Sequence, residues 1–118
     1  MCFRSTCWQW HLGYGQRSEL PRARGFDSYL GYWNGAESYS NHTVGFNHTL
    51  GTAPEPGAAP VYDFVNETTG DASSTQTAYD AAGKYSTHVF SQRAVEIIIA
   101  AAAEPRRVPW FLYLVSLH

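Results

Sequence analysis

The residue whose type and setting best suit chemistry in this sequence is His11. It follows the aromatic segment Trp8–Trp10 and precedes Gly13-Tyr14-Gly15, where two glycines permit a turn with positive φ. Because segment 8–12 reads as a short strand, we expect His11 at a strand end, where loops carry functional side chains on a rigid scaffold. The alternative is a half-buried histidine that is hydrogen-bonded among aromatic rings.

Two further histidines, His42 and His48, lie six residues apart. An even spacing places both side chains on one face of a strand, as a metal site would need. No third ligand accompanies them, and each is equally the middle residue of an Asn-x-Thr acceptor. Three of the four asparagines, Asn41, Asn47 and Asn66, begin such acceptors. We therefore expect a secretory-pathway glycoprotein with glycans on exposed loops at these positions.

Charge and cysteine content exclude several classes of protein. The net charge is −2, and no Lys or Arg occurs from Gly25 to Gly83, whereas nucleic-acid binders show a continuous basic stripe. The two cysteines, Cys2 and Cys7, lack the spacing of a zinc site. The N-terminus has no apolar signal-peptide segment. The apolar run 95–103 contains Glu96 and is too short to span a bilayer.

The clearest regular element is a helix from Ser86 or Thr87 to about Ala103, which Pro105 ends. Its expected buried face is made of apolar side chains at helical spacing, namely Phe90, Ala94, Ile97, Ile98 and Ala101. After a short turn, the apolar run 110–117 fits a parallel strand that is buried on both faces. Helix, turn and buried strand form half of a βαβ unit, so the predicted class is α/β. Segments 52–60 and 68–83 are expected as surface loops, with a short edge strand at 61–65 between them.

Several blocks of the sequence occur in an order that carries a family resemblance. They are Trp10-His11-Leu12-Gly13, Pro21-Arg22-Ala23-Arg24-Gly25-Phe26-Asp27, Gly83-Lys84-Tyr85-Ser86-Thr87-His88 and Phe111-Leu112-Tyr113-Leu114. With them the chain resembles the sulfatase family, in particular its arylsulfatase B-like (N-acetylgalactosamine-4-sulfatase-like) branch. The resemblance implies a partial alkaline-phosphatase-like α/β fold, with an incomplete sheet, one long helix and long loops. Residues 8–118 would form part of the N-terminal catalytic domain, after a divergent segment 1–7.

The resemblance also assigns roles to residues. His11 matches the family histidine that contacts the formylglycine hydroxyl, and Gln9 replaces a lysine that binds sulfate. His118 is the candidate for a second sulfate-contacting histidine. It lies seven residues after Phe111, two fewer than in the family pattern, an even difference that keeps it on the same strand face. Two histidines that share one sulfate should lie within roughly 10 Å of each other.

Other parts of the family site are not found among these residues. The sequence has no Cys-x-Pro-Ser-Arg-like nucleophile motif. The carboxylate and amide ligands of the family's calcium lie in blocks outside it. The resemblance thus implies a fragment of a lysosomal or secreted sulfate ester hydrolase, acting on glycosaminoglycan sugars and inactive as the isolated chain. The alternative is a non-catalytic, secreted carbohydrate-binding segment that uses Tyr32, Trp33 and Tyr39.

Overall fold

The computed structural model describes residues 2–44, 60–67 and 75–115. The strands and the one α-helix follow each other as β1 (Phe3–Gln9), β2 (Ser28–Tyr32), β3 (Thr43–Val44), β4 (Val61–Tyr62), β5 (Val65–Glu67), β6 (Thr75–Thr77), α1 (Ser86–Ala103) and β7 (Trp110–Leu114). Short 3-10 helices span Arg17–Glu19, Pro21–Arg24 and Tyr79–Ala81. No helix in the described part of the chain is long and apolar enough to cross a membrane.

Five of the strands form one sheet in the order β6-β5-β2-β1-β7, and β3 and β4 form a separate antiparallel pair. The central strand β1 runs parallel to both β2 and β7. Strands β5 and β6 add antiparallel partners on the side of β2. With α1 connecting onward to a strand parallel to β1, the predicted α/β class is confirmed.

The strand that precedes His11 begins earlier than predicted. Strand β1 starts at Phe3 and ends at Gln9, whereas the sequence predicted a short strand over residues 8–12. Two of its residues, Ser5 and Thr6, are polar but buried, and the Ser5 hydroxyl lies 2.6 Å from that of Ser28 on β2. Apolar periodicity gives no sign of such a pair.

Helix α1 covers one face of the sheet. Phe90, Ala94 and Ile97 are buried, and Phe90 and Ile97 form a cluster with residues that include Cys7, Leu30, Tyr32 and Phe64. The predicted buried face is wrong at Ile98, which is 45% exposed. A second cluster of Trp10, Tyr29 and Val65, with Phe26 and Trp33 against it, makes up the other part of the core.

Three expectations for the strands and loops need correction. Strand β7 pairs with β1 alone among the described strands, and Trp110, Phe111, Tyr113 and Leu114 are 42–50% exposed, so it is not buried on both faces. The sequence predicted one edge strand within 61–65, whereas the structure has two strands in this region, β4 and β5, and β5 lies inside the five-stranded sheet. The reason is that β6, in a segment expected to be loop, pairs with its outer side.

Candidate functional site

The candidate site lies at the carboxyl ends of the parallel strands. Pairing continues past the last residues of β1 and β2, because the Trp10 amide donates to the Tyr32 carbonyl at 2.7 Å and the His11 amide to the Trp33 carbonyl at 3.0 Å. Strand β7 runs toward the same edge, where Leu114 pairs with Cys7. His11 therefore occupies the strand-end position that the sequence predicts.

The His11 side chain is exposed at this edge rather than packed in the core. Its backbone adopts the left-handed conformation with φ 48°, which turns the chain away from β1. The ring Nδ1 lies 3.4 Å from Nε2 of Gln9. The imidazole and this amide therefore form adjacent hydrogen-bonding groups at the protein surface.

Gly35 provides the surface on which these two side chains lie. A methyl group at Gly35 would come within 2.7 Å of Cε1 and 2.8 Å of Nδ1 of His11, and within 3.2 Å of the Gln9 amide nitrogen. Ordinary Cβ contacts are longer than this. Only a glycine lets the imidazole rest directly on the backbone here.

The chain that leaves β1 is held by the buried ring of Trp10. Its indole nitrogen donates to the carbonyls of Gly13 at 3.1 Å and Glu19 at 2.9 Å. The Tyr29 hydroxyl, on β2, lies 3.0 Å from the Trp8 carbonyl and 2.6 Å from that of Tyr32. These contacts fix the two strand ends relative to each other, and with them the start of the His11 loop.

Asp63 holds the loop that follows β2. Its carboxylate accepts hydrogen bonds from the backbone amides of Trp33 at 3.2 Å and Asn34 at 2.8 Å, and from the Asn34 side chain at 2.9 Å. Asp63 is only 5% exposed. A buried carboxylate with such donors is a strong local constraint, and it fixes the segment that ends at Gly35.

Glu37, two residues after Gly35, is a buried acidic residue. It is 7% exposed, and neither carboxyl oxygen has a hydrogen-bond partner among the described residues. Burial is the main cause that raises the pKa of Glu37 to about 9, and the negative charge of Asp63 contributes to the same shift. Glu37 is thus neutral at physiological pH.

His42 proves to be a core residue. It is fully buried and stacks on Phe64 with ring centroids 4.4 Å apart. Its Nε2 lies 2.9 Å from the Ala81 carbonyl, and its Nδ1 lies 2.6 Å from the Tyr32 hydroxyl. Because a carbonyl can only accept, Nε2 carries the proton and Nδ1 accepts from Tyr32. Both nitrogens are occupied, so His42 is not free to bind a metal.

The remaining predicted residues fall in different settings. Asn41 is exposed, as expected for a glycan acceptor. Asn66 lies in β5 with a half-buried side chain, so the expectation of an exposed loop is wrong there, because β6 pairs on its outer side. Asn47, His48 and His118 lie outside the described residues, and so does the expected approach of His118 to His11.

The described residues do not assemble a metal centre. Among them no group of three or more His, Cys, Asp or Glu side chains could hold an ion, and Glu37 with Asp63 supplies only two carboxyls. The Cys7 thiol is not suited to nucleophilic chemistry either. Cys7 is buried, and burial raises its pKa to about 12, which suppresses the reactive thiolate.

Sequence reasoning missed Gly35, Glu37 and Asp63. The sequence offered one signal for the two acids, namely nearby aromatic residues that indicate a buried segment. Asp63 lies between Tyr62 and Phe64, and Glu37 lies two residues before Tyr39. Acids are seldom buried without a specific partner, so such positions are candidates for a role in the site. The two acids are far apart in sequence, so nothing short of the fold brings them together.

Comparisons with known proteins agree with this architecture. A family model described as Sulfatase matches residues 4–118. The crystal structure of Ps i-CgsB in complex with k-i-k-neocarrahexaose matches with a TM-score of 0.62 at 20% identity, over 98% of this chain and 24% of that chain. At this identity the likeness concerns the fold. The chain thus spans about a quarter of the length of that protein.

Proposed function

The chain belongs to the sulfatase family, whose model matches residues 4–118. From this premise we propose that it is part of a sulfate ester hydrolase and that the sulfate group of the substrate contacts His11 and Gln9. The observation that carries the proposal is the exposed His11 ring at the carboxyl end of β1, beside the Gln9 amide at 3.4 Å. Anionic oxygens need convergent donors in such a hydrolysis, and the leaving oxygen needs a proton. An imidazole can supply either.

His118 is proposed as a second sulfate contact on the resemblance alone. Strand β7 supports the idea only in running toward the edge that carries His11. The substitution of Gln9 for lysine leaves a neutral donor where the family has a cation. Loss of one preorganised donor costs about 3 kcal/mol of transition-state stabilisation, so this site would be a weak form of the family's site.

We propose that the 118 residues alone do not turn over sulfate esters. They include no Cys-x-Pro-Ser-Arg-like motif, and Cys7 is held as a buried thiol. The described residues also lack the ligand set for calcium, so we assign calcium to the complete domain. An assay with a chromogenic aryl sulfate and added calcium should show no turnover above buffer, and turnover that His11→Ala abolishes would contradict this.

The proposed substrate class is a sulfated carbohydrate, with glycosaminoglycan sugars as the narrower proposal. Next to His11, the ring of Tyr14 stacks on that of Trp33 at 6.1 Å and 13°. Tyr14 is 48% exposed, and an exposed aromatic face suits a sugar ring. The fold neighbour is solved with k-i-k-neocarrahexaose, which supports the carbohydrate class. The arylsulfatase B-like branch remains a proposal from the sequence blocks.

One of the three residues proposed for the alternative function, a non-catalytic carbohydrate-binding segment, cannot contact a ligand. Tyr32 is fully buried, so it is not accessible to a ligand, whereas Trp33 and Tyr39 remain partly exposed. We further propose a lysosomal or secreted glycoprotein, for which the exposed acceptor Asn41 gives the best support. Treatment of the protein from secretory cells with a glycosidase should lower its mass, and in an Asn41→Gln variant this change should be smaller by the mass of one glycan.

Restoring the missing cation tests the site. The Gln9→Lys variant should bind an aryl sulfate about fivefold more tightly, because a charge-assisted hydrogen bond at a half-exposed position adds about 1 kcal/mol. The measurement is a calorimetric or NMR titration at low salt. The matched control is Gln76→Lys, which adds the same charge on the exposed edge strand β6. Equal gains in both variants would show only a general charge effect and would contradict the assignment.

A further inference from the structure

The loop that follows β1 is attached to Trp33 at two points. At its start, the His11 amide donates to the Trp33 carbonyl at 3.0 Å. Three residues later, the ring of Tyr14 stacks on the ring of Trp33, with the centroids 6.1 Å apart and the planes at 13°. Tyr14 remains 48% exposed, so the stack leaves the opposite face of its ring accessible. The loop thus places an accessible aromatic ring on the residue that also binds the His11 backbone.

The contacts that close this loop come from Glu19, which has no part in the proposed sulfate contact. Its Oε2 accepts a hydrogen bond from the Gln16 amide at 3.1 Å. Its carboxyl group packs against the Gly13 backbone, since a methyl group added there would lie 3.1 Å from both Cδ and Oε2. The same oxygen would lie 3.7 Å from a methyl group on Gly15. Tyr14 is therefore flanked on both sides by residues that contact Glu19.

The backbone at Glu19 is in turn fixed by the core. The buried indole of Trp10 donates its single N–H to two acceptors, the carbonyls of Gly13 at 3.1 Å and Glu19 at 2.9 Å. The Trp10 ring packs edge-on against Phe26 and Tyr29, which holds the indole in place. One core side chain thereby sets the distance between the glycine before Tyr14 and the acid that closes the loop.

We propose that Glu19 is a positioning residue for the open edge of the site. Its carboxylate holds the loop so that the Tyr14 ring lies on Trp33 and presents its other face to the sugar ring of the substrate. A platform that is ordered before binding does not have to be ordered by the ligand, which lowers the free-energy cost of binding. The proposal rests on the proposed function where it takes Tyr14 to contact a sulfated sugar.

The position of the Tyr14 ring is the first observable, and it is measured by NMR on the chain without ligand. In the unaltered chain the Trp33 ring current should displace the Tyr14 ring signals from those of an unstacked tyrosine. Glu19→Ala removes the hydrogen-bond acceptor and the packing under Gly13, so most of this displacement should be lost. Glu19→Gln keeps an acceptor oxygen at the end of a side chain of the same length and should retain the displacement.

Glu104 offers the matched control. Its Oε1 accepts a hydrogen bond from the Arg106 amide at 3.2 Å, so Glu104→Ala breaks a bond of the same kind in the turn after α1 and should not affect Tyr14. The His11 ring has its own support and should keep its signals, and the amide signals of α1 show that each variant is folded. Unmoved Tyr14 signals in Glu19→Ala, or an equal change in Glu19→Gln or Glu104→Ala, would overturn the proposal.

Trp10→Phe gives a second and independent test, because it removes the indole N–H and keeps an aromatic ring. The two carbonyls that share this donor lose it, so the Tyr14 ring signals should move in the same direction as in Glu19→Ala. A change confined to the rings that pack on Trp10 would contradict its anchoring role.

A titration with two probes, the sulfate ion and a galactose sulfate, links the loop to the substrate. The sugar can stack on Tyr14 and the ion cannot, and one aromatic contact corresponds to about a fivefold change in Kd. Glu19→Ala should therefore weaken galactose sulfate binding about fivefold and leave sulfate binding unchanged, whereas Glu19→Gln should bind both probes like the unaltered chain. An equal loss for both probes, or no loss for the sugar, would contradict the proposal. If neither probe shifts the His11 ring signals in any variant, the proposed function fails, and the Tyr14 ring signals still decide the role of Glu19.

Discussion

Replacement of Gly31 by alanine is expected to destabilise the chain by about 4 kcal/mol or more, the range of exceptional single substitutions. Gly31 lies in β2 opposite Trp8 of β1. An added Cβ would lie 1.8 Å from the Trp8 carbonyl oxygen and 2.8 Å from its carbon. These atoms belong to the central strand and cannot yield as a side-chain end can. The pairing of β1 with β2 should therefore open next to Gln9 and His11.

Urea denaturation followed by circular dichroism measures this effect. The matched control is Gly15→Ala, where the nearest atom to an added Cβ is a Glu19 carboxyl oxygen at the ordinary distance of 3.7 Å. Gly15→Ala should change the midpoint little. If Gly31→Ala were tolerated equally well, the close approach of β1 and β2 at this point would be wrong, together with the placement of His11 that depends on it.

Replacement of His42 by alanine is expected to cost about 3 kcal/mol or more, the usual loss for a large buried ring. The ring is fully buried and stacks on Phe64. Its removal would also leave the Tyr32 hydroxyl and the Ala81 carbonyl without their partner, and buried groups left unpaired are costly. The left-handed backbone at this residue, φ 56°, adds a smaller penalty for alanine.

The comparison for this variant is His88→Ala, on the exposed side of α1. That substitution should change the free energy of unfolding, obtained from urea denaturation, by less than about 0.5 kcal/mol, as is usual for exposed positions. Should His42→Ala prove as mild as His88→Ala, then His42 would not be a core residue, and a ligand role for it would have to be considered again.

The sequence predicts those parts of the fold that repeat a pattern. Helix α1 has apolar residues at helical spacing and a terminal Pro105, so its bounds of Ser86–Ala103 were predictable. Strand β6 was not, because Thr75–Thr77 is polar and gains its strand structure only from pairing with β5. The exposure of β7 was not predictable from the sequence either. An apolar run indicates a strand, but how much of it is covered depends on neighbours in space.

The site divides in the same way. The position of His11 follows from local chemistry, since the glycines after it end the strand. The support beneath it does not, because Gly35 and Asp63 reach His11 through contacts between distant segments. For His42, the local sequence indicated the wrong role. Its sequence context indicates a sequon or a ligand, and only the packing of Phe64 and Tyr32 around it reveals a core residue.

The most direct test of the account is an NMR titration of the chain, with labelled histidine rings, against an aryl sulfate. We expect saturable shifts of the His11 ring signals and of the Gln9 side-chain amide, because these groups form the proposed sulfate contact. The exposed ring of His88 on α1 serves as the internal control and should not respond. Shifts confined to His88, equal shifts at both rings, or no shift at saturating ligand would contradict a sulfate site at His11.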